Sequence, residues 1–249
     1  MSGAYAKARR VKRSPAARVR PFWILIAFAA AVVAGAAAFA ALWPGFFPKS
    51  VAVYGNHRVP TAEVLHQARI ASNRSLWLQN TDAAAARIRA IPYVDSVWIH
   101  RIPPSSVRIV VRERTPFAIL DAGGQSVVVD AALRVLDDAS GEEPLPVLSL
   151  PAVTAPAAGG FVTTADARGL RDAYETLAAG GLAPARLELD GYGELTATLH
   201  GGLRLLLGDP EDLHQRIALA NAIVAQVRKQ PRHVATIDLR APSAPVIVY

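Results

Sequence analysis

With 249 residues, 52% of them hydrophobic and 19% charged, the chain is long enough for two modest domains, each with its own core. The formal net charge of +7 first suggests an acidic partner such as nucleic acid, but its distribution argues against that. Seven basic residues (Lys7, Arg9, Arg10, Lys12, Arg13, Arg18 and Arg20) lie in residues 1–21 with no acid. The other 20 basic residues balance the 20 acidic ones, so the rest of the chain has no global field to attract a phosphate backbone.

Residues 22–42 carry no charged side chain. As a helix rising about 1.5 Å per residue, that run spans roughly 30 Å, the thickness of a bilayer core. Phe22, Trp23, Leu42 and Trp43 mark its ends, and the two indoles suit the membrane–water interface. The sequence thus predicts a basic cytoplasmic tail over 1–21, one crossing of the inner (cytoplasmic) membrane over 22–42, and an extracytoplasmic remainder. A cleaved signal peptide is the rival reading, because the Ala-rich end offers small residues for cleavage. Its apolar core, however, is usually about 7–15 residues, shorter than this run. The absence of cysteine is compatible with either location.

Beyond the Trp43-Pro44-Gly45 break, Val51, Val53 and Tyr54 predict a short strand ended by Gly55-Asn56. Pro60-Thr61-Ala62-Glu63 predicts a helix start with the threonine hydroxyl as cap. A second start falls at Asn80-Thr81-Asp82, followed by a buried stripe of Ala84, Ala85, Ile88 and Ile91. Two alternating runs, 97–101 and 107–112, flank Pro103-Pro104-Ser105 and predict a hairpin. Arg108, Arg112 and Arg114 on the second run read either as a solvated strand edge or as a surface for an acidic partner.

The second region is rich in strands. Phe117–Leu120 predicts one, and Ser126–Asp130 with Leu133–Leu136 predicts a pair, with a surface loop over Pro151–Gly160. Thr164 caps a helix with Leu170, Ala173, Tyr174 and Leu177 on one face and Gly180-Gly181 at its end. Strands at Leu187–Leu189, Leu195–Leu199 and Leu203–Leu207 follow. Asp209-Pro210-Glu211-Asp212 opens a helix that Arg228-Lys229 and Pro231 close. The last strands are Val234–Arg240 and Val246–Tyr249.

The order strand-helix-helix-strand-strand is that of a POTRA (polypeptide-transport-associated) domain. The run PYVDSVWIHRIPPSSVRIVVRERTPFA over 92–118 resembles the signature of the FtsQ/DivIB family's copy. It supplies Tyr93, Val94, Val97, Arg101, Pro103, Val107, Ile109, Val111, Glu113, Arg114, Pro116 and Ala118 in order, and Val53 with Gly55-Asn56 resembles the family's first strand and turn. The resemblance implies an α+β protein: one transmembrane helix, a POTRA domain over 49–114 and a C-terminal β-rich domain with helices over 115–249.

By function, the resemblance implies a bitopic divisome scaffold at the division septum. Such a scaffold links early and late division proteins and helps control septal peptidoglycan synthesis, with FtsB and FtsL as partners and FtsW and FtsI nearby. Leu239, Arg240, Val246, Ile247, Val248 and Tyr249 then fall near the FtsB contact, although Ala241 stands where the family often carries an aromatic. The residues 246–249 also make a β-branched strand with no ionised side chain, suited to sheet extension if it lies at an edge. The alternative is a POTRA-containing envelope or outer-membrane assembly or chaperone factor. Those usually carry tandem POTRA units or a barrel, and a single unit is visible here. A secreted hydrolase is the third class, and it needs a catalytic set.

No such set is legible. Cysteine is absent, as are the Gly-x-Ser-x-Gly elbow, the His-Glu-x-x-His zinc helix and the phosphate loop. The histidines, at 57, 66, 100, 200, 214 and 233, have no metal-pair spacing, and Gly191-Tyr192-Gly193 reads as a turn. The sequence therefore predicts no enzyme, no cofactor, no metal, no nucleic acid and no small-molecule substrate.

Overall fold

The computed structural model describes residues 16–141, 143–210, 213–227 and 234–249. The basic tail up to residue 15, the helix-entry acids Glu211 and Asp212, the helix-exit residues Arg228, Lys229 and Pro231, and His233 lie outside them. Two compact units are present. One joins the described part of Met1–Ala52 to Arg69–Thr81 and Ile99–Ile109, and the other comprises Val53–Ala68, Asp82–Trp98 and Val110–Tyr249.

The first unit begins with α1 (Ala16–Leu42). Its stretch Phe22–Ala40 is long and apolar enough to cross a membrane, and none of it is buried. Phe22, Trp23 and Leu42 are exposed, and Trp43 follows the last turn, where Pro44 cannot extend a helix. The Arg69–Thr81 segment is a loop pinned by Gln79, whose side-chain amide donates to Ala71 O (2.7 Å) and Arg74 O (2.9 Å). Arg101 donates to Leu76 O (2.9 Å) and Gln79 O (2.8 Å), adding a second bond to carbonyls that also accept from Gln79 and Thr81 N–H around the short 3-10 turn Leu76–Leu78.

Three strands, β1 (Ser50–Tyr54), β2 (Val94–Ile102) and β3 (Ser106–Glu113), form a sheet in the order β1-β3-β2. β3 is therefore the middle strand and not an edge, while its Arg108 and Arg112 are exposed to solvent as the sequence predicts. Within the second unit, α2 (Thr61–Ala68) and α3 (Thr81–Arg89) pack their apolar stripes inward through Val64, Ala68, Ala84 and Ile88. Arg87 of α3 donates to Gln67 O (2.9 Å) and Ala68 O (2.8 Å), closing the carbonyl end of α2. The expected threonine cap is not formed. Pro60 O takes the first helical N–H groups, and the Thr61 hydroxyl accepts from the Asn56 side chain at 3.0 Å.

The remaining strands build one nine-stranded sheet. In chain order they are β4 (Pro116–Ala122), β5 (Gln125–Asp130), β6 (Val135–Asp138), β7 (Val147–Leu150), β8 (Arg186–Leu189), β9 (Leu195–Thr198), β10 (Arg204–Gly208), β11 (Thr236–Asp238) and β12 (Val246–Val248). In space they run β12-β11-β10-β9-β8-β7-β4-β5-β6. The pairs β4/β7, β7/β8 and β10/β11 are parallel. Helices α4 (Ala165–Ala179) and α5 (Leu213–Val227) lie in the β7-to-β8 and β10-to-β11 connections.

Thr164 Oγ1 accepts from Ala167 N (3.3 Å) at the start of α4, as its sequence predicts. Gly181, at φ +83°, ends that helix, with Leu182 N–H donating to Leu177 O (2.9 Å). Leu170 and Leu177 of α4 and Ile217, Ala220 and Val224 of α5 join Leu120, Leu148, Leu187, Leu205 and Ile237 in one core. Each fully buried aliphatic side chain there contributes about 1.5–3 kcal/mol relative to exposure.

The β4–β5 hairpin is tighter than the sequence suggests, because Gly123 and Gly124 turn it at positive φ. Gly55, at φ +81°, is more constrained: a Cβ there would lie 2.3 Å from Val111 O. Left-handed backbone alone costs an L-residue about 1–2 kcal/mol, and the carbonyl collision adds to it. Gly55→Ala is therefore expected to lower the unfolding free energy of the solubilised full chain by at least about 2 kcal/mol. A denaturant titration checks this, and a change within error would contradict the assigned turn.

Candidate partner-binding site

β12 is the terminal strand of the nine-stranded sheet among the described residues. It pairs with β11 alone, antiparallel, through Thr236↔Val248, Ile237↔Ile247 and Asp238↔Val246. Strand alternation sends Ile247 against the core and leaves Val246 and Val248 outside, 56% and 50% exposed. Tyr249 follows at 61% exposure. Leu239 is fully buried, with its N–H on Leu206 O (2.9 Å), so it supports the edge from within the core.

Arg240 follows β11, and its side chain runs over Gly208 at the end of β10, away from β12. Its guanidinium bonds Asp238 (Nη2 to Oδ2 2.7 Å) and reaches Glu194 Oε2 at 3.5 Å. Hydrogen bonds from Arg240 hold the Asp238 carboxyl below its ordinary pKa, and the same bonds push the Arg240 guanidinium up. Glu194 closes the β8–β9 turn, whose tip carries the almost fully exposed Tyr192. The sequence predicts only a turn at Gly191-Tyr192-Gly193. The available signal was an aromatic between two glycines with no periodic partner to pack against.

The opposite edge of the sheet is flanked where β6 begins. Val135 N–H donates to Gly160 O (2.9 Å), Gly159 N–H to Val135 O (2.8 Å) and Val162 N–H to Leu133 O (2.9 Å), so residues 159–162 lie along 133–135. A short flanking segment of this kind is a standard way to blunt a sheet edge. β12 has no such cover among the described residues.

The charged signature residues at the end of β3 serve the fold. Glu113 Oε1 accepts from the backbone N–H groups of His57 (2.9 Å), Arg58 (3.0 Å) and Val59 (2.8 Å). Burial pushes the Glu113 carboxyl up, but these three amides outweigh it and the net pKa is lowered. Arg114 pairs with Asp130 at 2.6 Å and with Asp95 at 3.5 Å, and Arg112 bonds Asp95 as well. Arginine hydrogen bonds, Arg112's first, hold Asp95 low. With Arg114 16% and Asp130 7% exposed in their side chains, this pair lies in the protein and not at an open acid-binding surface.

Among the described residues no three His, Cys, Asp or Glu side chains gather as a metal site. The depression of about 490 Å3 lined by Arg58, Glu63, Tyr93 and Asp137 opens to solvent and holds no nucleophile–base pair.

An apolar N-terminal helix, a strand-helix-helix-strand-strand order and a β-rich region with helices define a POTRA-bearing α+β protein. Residues 46–114 match the model of the FtsQ-type POTRA domain, and residues 118–240 match that of the C-terminal region of cell division protein FtsQ/DivIB. The chain belongs to the FtsQ/DivIB family of cell-division proteins. It is similar to cell division protein FtsQ of Streptomyces coelicolor, 28% identical over 251 residues, covering 95% of this chain and 90% of the relative. The FtsQ of Streptomyces collinus is 28% identical over 207 residues, 78% of this chain and 75% of the relative. That of Rhizobium meliloti is 25% identical over 92 residues, 37% of this chain and 30% of the relative. β12 follows the segment matched by the C-terminal model.

The lowered carboxylates imply a pH dependence. Groups depressed on folding stabilise fully above their unfolded values, about 4.3 for Glu and 3.9 for Asp, and lose that contribution as pH falls through the folded values. The full chain is therefore expected to lose stability below about pH 4.3, and Glu113→Gln to flatten part of that loss. Denaturant midpoints measured down the acid range check this, and identical slopes for the two proteins would contradict the Glu113 assignment.

Proposed function

We propose that the chain is a membrane-anchored, non-enzymatic scaffold of the divisome whose β12 edge takes up a strand from FtsB. In this reading α1 crosses the inner membrane once, with the N-terminus in the cytoplasm, and the domains over 49–114 and 115–249 work outside it at the septum. FtsL is held with FtsB, and FtsW and FtsI lie nearby, so that early and late division proteins are linked and septal peptidoglycan synthesis is controlled through binding.

The observation that carries the proposal is the asymmetry of the nine-stranded sheet. Its β6 edge is flanked at its start by residues 159–162, while β12 presents an outer side with no strand on it among the described residues and exposed Val246, Val248 and Tyr249. An added strand gains main-chain hydrogen bonds, each contributing about 0.5–1.5 kcal/mol net, and alternate side chains supply selectivity. Arg240, fixed by Asp238 and Glu194, is a positioned charge on the same end of the domain's sheet as the β11–β12 connection that carries it.

Ile247→Pro tests it. Thr236 pairs with Val248 and Asp238 with Val246, and Val248 O accepts from Ala235 N–H (2.9 Å), so alternation turns the Ile247 N–H away from β11. Proline there removes an outward donor and crowds an incoming neighbour while leaving the ladder to β11. The variant is expected to bind FtsB at least about tenfold more weakly, and Tyr249→Ala severalfold, in protein that still unfolds cooperatively. Full affinity in a folded Ile247→Pro protein would refute strand addition at β12.

A further inference from the structure

The first compact unit contains no acidic residue. All 20 Asp and Glu residues of the chain fall in the second unit, while Lys49, Arg69, Arg74, Arg101 and Arg108 share the first with α1. These cations come from three segments separated in sequence, so folding gathers what the linear charge pattern does not display.

The same unit carries a run of aromatic contacts that begins at the end of the apolar helix. Phe39 stacks on Trp43 at 5.7 Å between ring centroids, Trp43 meets Phe46 edge-on at 5.0 Å, and Phe46 meets Trp77 edge-on at 6.1 Å. Buried Ser75 donates its hydroxyl to Ala40 O at 3.1 Å, fastening the Arg69–Thr81 segment to the last turns of α1. Arg101 then closes the Leu76–Gln79 turn through its two carbonyl bonds. Trp77 and Leu78 are thereby held next to the helix end with about half of each side chain exposed. Such costly apolar exposure, within a unit that carries cations and no acid, matches the chemistry of a bilayer's interfacial zone, where indoles and basic side chains are both favoured.

We infer that this acid-free unit, led by exposed Trp77 and Leu78 and carrying Lys49 and Arg74, docks onto the anionic lipid headgroups of the membrane that α1 crosses. The inference rests on the proposal that α1 spans the bilayer. Aromatic and leucyl groups enter the headgroup–acyl boundary, and the ammonium and guanidinium groups meet lipid phosphates. The contact then acts as a second, lateral attachment, which restricts how the unit tilts on its anchor.

The absence of cysteine makes the test direct, since one introduced thiol labels uniquely. Full-length protein carrying a nitroxide at Leu78→Cys, at Val33→Cys within the apolar helix, or at Tyr192→Cys on the exposed β8–β9 turn is placed in vesicles. These are either 70:30 phosphatidylcholine:phosphatidylglycerol or pure phosphatidylcholine. Collision rates with oxygen and with the neutral aqueous relaxant nickel–EDDA are then compared. The docking predicts an oxygen-to-nickel ratio at 78 at least about threefold that at 192 in the anionic vesicles, reduced in the neutral ones. Adding Lys49→Glu with Arg74→Glu should bring the value at 78 toward that at 192 and leave 33 unchanged. A value at 78 equal to that at 192, with 33 still lipid-buried, overturns the docking and leaves the anchor intact. Water exposure at 33 overturns the anchor and the docking together. Equal protection at 78 in both lipids overturns the assignment to anionic headgroups.

Discussion

The ion pair between Arg114 and Asp130 is the contact on which the second unit's geometry depends. Both side chains are largely out of water, and in such a setting removing one partner strands a charge at a cost of about 3–5 kcal/mol. Asp130 is committed on its other oxygen too, accepting from the backbone of Ala132 and Arg134, each at 2.9 Å. Its residue also opens the β4–β5 register, opposite Pro116. The pair thus joins the end of β3 to the first hairpin of the nine-stranded sheet, and Glu113, one residue earlier, ties the 57–59 loop to the same place. A one-residue slip here would turn every core-facing side chain of β4 toward solvent.

From that fixed start the sheet extends strand by strand to two unlike edges. Parallel crossovers through α4 and α5 carry the chain past positions that hairpins alone cannot reach, and they leave β12 outermost. A bare edge of short, β-branched strand is a liability for a protein with no use for it. Here its exposed Val246, Val248 and Tyr249 are the basis of the strand addition proposed above. The family's role in cell division gives that surface its context.

Much of this was legible in the sequence. The α4 face, its threonine cap and its Gly180-Gly181 stop follow from 3.6-residue periodicity and from the left-handed backbone that a helix end of this kind requires. The β2–β3 hairpin and the family signature are local patterns and stand where expected. Other features depend on long-range partners. Arg114 reads as an outward charge until Asp130 is seen to meet it. β7 lies between two parallel neighbours, so its Val-Leu-Ser-Leu run lacks the alternation that announces a half-exposed strand. Whether the last strand is covered or bare depends on strand order, which sequence spacing does not encode. The acid-free character of the first unit is invisible for the same reason, because three separate segments compose it.

The central claim is that this FtsQ/DivIB-family chain works at the division site as an anchored binding protein. Its most direct test is to deplete the native protein in dividing host cells while following a full-length copy fused to a fluorescent protein at its N-terminus. The account predicts a midcell band from the fusion and filamentous cells when it is withheld. A uniform envelope signal, with normal division during depletion, would contradict it.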